Sequence, residues 1–209
     1  MIFSDTQIDL LRERIRSSMS DFRFVHTAEV EKMAVRLGEL YVPEKIDVLR
    51  VAALLHDVTK EKKPDEHIKM LEENGESVSD DDRAAYKTLH ARSAVYAIKK
   101  DYPEFATDEV IDAVRYHTTG RADMNICESI IFLADYIDES RKFDDCIYLR
   151  KYFWDAEPEK MDKDARIEHL NQTVLIALDI TIKALEQEKS PISVLSIEAR
   201  NSLILKLNK

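Results

Sequence analysis

The stretch Ala52-Ala53-Leu54-Leu55-His56-Asp57-Val58-Thr59-Lys60 decides how the rest of the chain is read. Leu49, Ala52, Ala53 and His56 follow helical spacing, so an apolar helix runs straight into an imidazole and a carboxylate, with an ammonium group three residues on. A carboxylate delivered to the end of a core-facing helix needs a compensating cation, because an unpaired buried charge costs several kcal/mol or more. Either a basic side chain or a metal ion must meet it. Two residues alone carry little specificity, so the remaining sequence has to discriminate between a metal ligand pair and a polar helix end.

Working outward, only 3 glycines and 5 prolines punctuate 209 residues, too few for the turns of a many-stranded sandwich or barrel, so the expected fold is all-α. Gly38, Gly75 and Gly120 cannot form a G-x-G-x-x-G turn or a Walker P-loop, so nucleotide phosphates would have to be met by side chains. A net charge of -10 argues against a general nucleic-acid or membrane-surface role, since both need a basic field. No apolar run approaches the ~18 residues of a membrane span. Cys127 and Cys146 form no C-x-x-C pair and the N-terminus carries no signal-peptide pattern, which together lead us to expect a reduced, cytoplasmic protein.

Periodicity predicts helices over 5–17, 21–41, from Pro43 to about 56, 64–74, 83–100, from Thr107 to about 117, 126–137, 145–154, 161–188, and after Ser196. We expect one domain over 1–209, with a core over about 18–142 and supporting helices over about 145–209. Residues 61–82 read as a charged surface excursion with an acidic loop through Asp80, Asp81 and Asp82, and as a candidate lid.

Four histidines fall on apolar stripes of four different helices. His26 lies one turn before Val30, His56 ends the third helix, His90 shares a face with Tyr86, Ala94 and Ala97, and His117 follows Val110, Ala113 and Val114. Asp135 sits inside the apolar run Ser129–Ile137. Charged and empty, such a cluster is unfavourable; neutral imidazoles and carboxylates around divalent cations satisfy one another. The mixed nitrogen and oxygen set suits iron, manganese, cobalt or zinc better than calcium or magnesium. His169, off its helix's apolar stripe, and His67, in the charged excursion, are expected at the surface and outside the site.

His26, then His56-Asp57, then Asp135 on successive helices resembles the HD-domain metal-dependent phosphohydrolase superfamily, and His90 and His117 resemble its two-metal members. The pieces Arg23-Phe24-Val25-His26, His56-Asp57-Val58-Thr59-Lys60, Leu89-His90-Ala91, His117-Thr118-Thr119-Gly120, Ala134-Asp135-Tyr136-Ile137, Arg141 and Ile197-Glu198-Ala199-Arg200-Asn201 are similar to the bacterial YqeK-like group, which hydrolyses diadenosine tetraphosphate symmetrically. The sequence departs from that group at Asp138-Glu139-Ser140, where a glutamate, proline and glycine are expected before the arginine.

The resemblance implies a helical domain with a metal site between helices and two divalent metals, iron first among the candidates. His26, His56, Asp57 and Asp135 would hold one metal, His90 and His117 the other, and Asp57 would bridge. Two cations ~3.5–4 Å apart would acidify a shared water for attack on an inner phosphorus, giving two ADP. Asp57, Lys60, His90 and His117 are the expected catalytic residues. Arg23, Lys60, Thr118, Gly120, Arg121, Asp138 and Arg141 are the expected substrate-binding residues, since the basic ones stand about one turn from a ligand. Two other readings compete: an HD-domain nucleotidase or phosphodiesterase acting on other nucleotides, and a non-catalytic nucleotide sensor or scaffold. Dimerisation is left open by the sequence.

Overall fold

The computed structural model describes residues 2–208, and among these every regular element is helical. The helices are α1 (Asp5–Ser18), α2 (Asp21–Tyr41), α3 (Ile46–Leu55), α4 (Pro64–Glu73), α5 (Asp80–Ala84), α6 (Leu89–Asp101), α7 (Asp108–Tyr116), α8 (Ile126–Ile137), α9 (Asp144–Asp155), α10 (Lys163–Gln187) and α11 (Val194–Leu207). None is long and apolar enough to cross a membrane.

The starts of these helices are written in the sequence. Ser4 caps α1 in a reciprocal box with Gln7, Ser20 caps α2, Thr107 caps α7, and Asn125 with Glu128 boxes α8. Each cap satisfies a backbone N–H that the helix itself leaves unpaired.

At the centre α2 packs on both α3 and α8, while α7 packs on α3, α6 and α8. From Val48 to Leu55 every residue of α3 is buried except the half-buried Arg50, and α8 is buried from Cys127 to Ala134. Helices so widely apolar have to be surrounded. Gly38 explains how closely α2 meets α3, because a Cβ there would lie 2.7 Å from Leu49 Cδ1. On the outside, α1 is locked to α2 and α3 through the buried Glu31 carboxylate, which accepts from Arg12 Nε at 3.0 Å and Arg50 Nε at 2.9 Å. The helices α9 and α10 back α8, and α11 packs on α10.

Two expectations fail in the excursion. The helix expected over 83–100 is broken: α5 ends at Ala84, a short 3-10 turn spans Tyr86–Thr88, and α6 begins only at Leu89. Asp80, Asp81 and Asp82 are the first turn of α5 rather than a loop, where their charge complements the helix N-terminus. The break turns Tyr86 outward to 46 % exposure, so it does not share the buried face of His90. The excursion is packed against its neighbours. His67 and Leu71 seat α4 on α6, and Glu76 pairs with Arg92 at 2.9 Å and Arg115 at 2.7 Å while accepting from the Tyr96 hydroxyl at 2.9 Å.

Candidate metal centre

His26 comes from α2, His56 and Asp57 from the turn after α3, His90 from the first turn of α6, His117 from the residue after α7, and Asp135 from the last turn of α8. All but the half-buried Asp135 are buried. Their donor atoms converge: those of His26, His56 and Asp57 lie within 4.8 Å of one another, as do those of Asp57, His90 and His117, and those of His56, His117 and Asp135.

The backbone fixes how three of the imidazoles face. His56 Nδ1 is 2.6 Å from the Ala53 carbonyl, His90 Nδ1 2.9 Å from that of Lys87, and His117 Nδ1 2.7 Å from that of Val114. A carbonyl only accepts, so in each ring Nδ1 carries the proton and Nε2 presents a lone pair to the cluster. These are carbonyls three residues back on the same chain segment. Position at a helix end therefore sets the tautomer.

Asp57 divides the cluster in two. Its Oδ2 lies 3.6 Å from His56 Nε2 and 3.8 Å from His26 Nε2, while its Oδ1 lies 3.3 Å from His90 Nε2 and 3.7 Å from His117 Nε2. Asp135 Oδ1 completes the first group, 3.0 Å from His26 Nε2 and 3.9 Å from His56 Nε2.

The atoms themselves test whether a cation fits. His56 Nε2 and Asp57 Oδ1 are buried with no hydrogen-bond partner, and the His90 and His117 Nε2 atoms face each other at 3.0 Å although both are lone-pair bearing. Orphaned buried acceptors cost free energy. A divalent cation held by these donors would satisfy them, so the donor set fits metal.

The electrostatics point the same way. Burial pushes His56 down to about 4 and His90 down to about 3, keeping both neutral. For Asp57, burial opposes ionisation, but the charge around it, that of the Lys60 ammonium included, outweighs burial and holds the carboxyl well below its usual range. Asp135 is likewise held low against its burial, chiefly by Arg141. For His26, burial is outweighed by the hydrogen bonds to Asp135 and Asp138, which lift it to about 9.

Of the expected substrate-binding residues, four line the cluster. Arg23 Nη1 is 2.7 Å from Asp57 Oδ2, Lys60 Nζ is 3.1 Å from His90 Nε2, and Arg141 holds the Asp135 carboxylate and, through Nε at 2.8 Å, its carbonyl. Thr118 Oγ1 is 3.2 Å from His90 Nε2. Arg121 and Gly120 are not brought to the donors, whereas Asp138 converges with His26 and Asp135. Arg121 spends its guanidinium on the buried Glu128, at 2.6 Å and 3.0 Å, and covers the Tyr116 ring. Gly120 adopts φ +65, and a Cβ there would meet Ala199 Cβ of α11 at 3.0 Å, so its space and backbone freedom serve the turn and helix packing. Asp138 is fully buried, with Oδ2 3.4 Å from His26 Nδ1, so it stands behind that ring rather than in solvent.

Several participants escaped the sequence reading. Ser140 approaches His26 Nδ1 at 3.3 Å and donates to Asp138, and Arg150 of α9 anchors the 138–141 loop by donating to the carbonyls of Ile137 at 2.7 Å and Arg141 at 2.9 Å. Arg150 faces the loop across a turn, which no single-helix pattern reveals. His67 was expected at the surface; it is buried, with Nδ1 2.8 Å from Ser93 Oγ, and the signal was its i,i+4 spacing to Leu71. His169 is half-buried and stacks on Phe153 at 5.1 Å, so it too is less exposed than expected.

Comparisons agree with this geometry. Residues 23–140 match the model of the HD domain. The chain is 29% identical over 193 residues to a symmetrical bis(5'-nucleosyl)-tetraphosphatase of Halalkalibacterium halodurans, covering 91% of this chain and 94% of that protein. A Bacillus subtilis protein of the same name is 26% identical over 85% of this chain and 87% of its own length. Among solved structures, one from Clostridium acetobutylicum, described as a predicted HD superfamily hydrolase involved in NAD metabolism, superposes with a TM-score of 0.81 at 30% identity, covering 95% of this chain and 97% of that one.

Proposed function

The chain belongs to the HD domain family, and from that premise we propose that it is a metal-dependent phosphohydrolase that cleaves diadenosine tetraphosphate symmetrically into two ADP. The observation that carries this reading is the division of Asp57, one carboxylate oxygen toward His26 and His56 and the other toward His90 and His117. We assign His26, His56, Asp57 and Asp135 to one divalent ion and His90, His117 and Asp57 to a second. Iron, manganese, cobalt or zinc suits these nitrogen and oxygen donors. The names of the relatives support the choice of substrate.

Divalent ions held at these donors supply positive charge to the phosphates and acidify water at neutral pH. The protein's own groups do the rest. Arg23, Lys60 and Arg141 rim the donors and offer N–H groups to phosphate oxygens, Arg in a planar fork and Lys as a point charge. Burial pushes the Lys60 ammonium below its usual range, and a phosphate anion beside it favours the charged form. Asp138 and Ser140 orient His26 from behind, and the carbonyls of Ala53, Lys87 and Val114 orient the other three rings. In the overall reaction water oxygen forms a bond to an inner phosphorus, the bridging P–O bond breaks, and the departing ADP oxygen takes up a proton. One water and one dinucleotide give two ADP.

The cytoplasmic assignment rests on Cys127 and Cys146, buried and unpaired as in a reducing compartment. The experiment is chromatography of products from diadenosine tetraphosphate and, in parallel, from NAD, using the protein with its purified metal complement. ADP as sole product from the tetraphosphate, with NAD intact, is expected. AMP from NAD, or ATP plus AMP from the tetraphosphate, would overturn the substrate assignment.

A further inference from the structure

Beside the second donor group lies a cavity of about 260 Å³ that the reaction as described leaves unused, with Lys60, Lys62, His67, Tyr86, Lys87 and His90 in its wall. It is continuous with the cluster, because His90 and Lys60 belong to both and their Nε2 and Nζ atoms are 3.1 Å apart. Among the described residues no carboxylate lines it, in a chain whose net charge is -10. Lys87 Nζ lies 3.5 Å from the exposed Glu188 and Lys60 Nζ 3.9 Å from Asp57, but three lysines against these two carboxylates still leave a local anion site.

The aromatic member stands out from its surroundings. Tyr86 is 46 % exposed, held there by the short turn that interrupts the helix between Ala84 and Leu89. A flat ring on the rim of a cationic pocket suits a nucleobase, which stacks by its π-face whatever its hydrogen-bonding edge. The opposite wall is firm. His67 Nδ1 meets Ser93 Oγ at 2.8 Å, Ser93 meets Thr59 Oγ1 at 2.9 Å, and Thr59 donates to the His90 carbonyl at 2.9 Å. This chain of hydrogen bonds ties α4 to the segments bearing His56 and His90.

Size narrows the ligand. Complete small-molecule sites occupy roughly 300–1,000 Å³, so this cavity suits one end of a ligand whose remainder lies over the donors. We infer that it receives one nucleoside diphosphate arm of the substrate, with Lys60, Lys62 and Lys87 on the phosphates and the Tyr86 ring against the base. The inference rests on the dinucleotide reading above and adds to it where one arm goes.

The test is a set of variants read by steady-state kinetics on diadenosine tetraphosphate and by calorimetric titration with ADP, which as a product is not consumed. Tyr86→Ala is expected to raise KM about tenfold and to weaken ADP binding about as much, with kcat held within about twofold. Tyr86→Phe is expected to restore both. The double variant Lys62→Ala/Lys87→Ala is expected to raise KM and flatten its salt dependence. Unchanged KM and ADP affinity in both Tyr86→Ala and the double variant would overturn the pocket assignment while leaving the reaction intact. If the wild-type protein releases no ADP from the dinucleotide, the substrate reading fails separately. The ADP titration then still decides: affinity that depends on Tyr86 keeps the pocket, and affinity indifferent to Tyr86 removes it.

Discussion

The two donor groups share Asp57 but are built differently. The group at His26, His56 and Asp135 joins helices α2, α3 and α8 in the middle of the core, with a second carboxylate from Asp138 behind it and Arg141 clamping Asp135. The group at His90 and His117 sits at the start of α6 and the end of α7, has two imidazoles and one oxygen of Asp57, and opens onto Lys60 and Thr118. One group is rich in negative charge and clamped by Arg23 and Arg141; the other is poorer in charge and faces Lys60. The difference suggests a division of labour, with the first group retaining its ion and the second meeting the substrate.

The comparison can be broken most severely at the residue common to both. Asp57→Ala removes an oxygen from each group and is expected to lower turnover by about a thousandfold or more, with metal content falling well below wild type; an active variant with full metal would show that Asp57 does not connect the groups. Next in size is the asymmetry itself. In a chelator titration followed by metal analysis, about half the metal is expected to leave at low chelator concentration and the rest at concentrations roughly 10–100-fold higher, and a single unresolved release would contradict the difference in donor charge. A smaller effect is expected from Asp138→Asn, which alters only what lies behind His26. It should weaken the more tightly held metal by about tenfold and leave the first-released one unchanged. Least is expected of Thr118→Val, which removes a hydroxyl beside His90 and should cost turnover severalfold, about 1 kcal/mol, without changing metal content.

The sequence made the centre legible because its residues come from ordinary amphipathic helices. His26, His90, His117 and Asp135 interrupt stripes that would otherwise be wholly apolar, and a polar residue on such a stripe has to be accounted for by burial. The element order followed from the same periodicity and from caps such as Ser20 and Asn125. What stayed hidden depends on contacts between elements. Arg150 reaches the loop after α8 from a different helix, and the Thr59–Ser93–His67 chain links three segments. Asp138 follows the last residue of α8, where a carboxylate ordinarily faces water; the packing of His26, Ser140 and Arg141 around it decides otherwise. The break before α6 was hidden because residues 83–100 keep a helical pattern across it, and Tyr86 was thereby placed on the wrong side.

On the proposed assignment one carboxylate, Asp57, joins two metal positions of unequal origin. Its most direct test is metal content per chain, by elemental analysis, in the wild type and in His90→Ala purified side by side. About two metals per chain falling to about one in His90→Ala, with the fold retained, is the result expected. Equal metal content in the two proteins would contradict it.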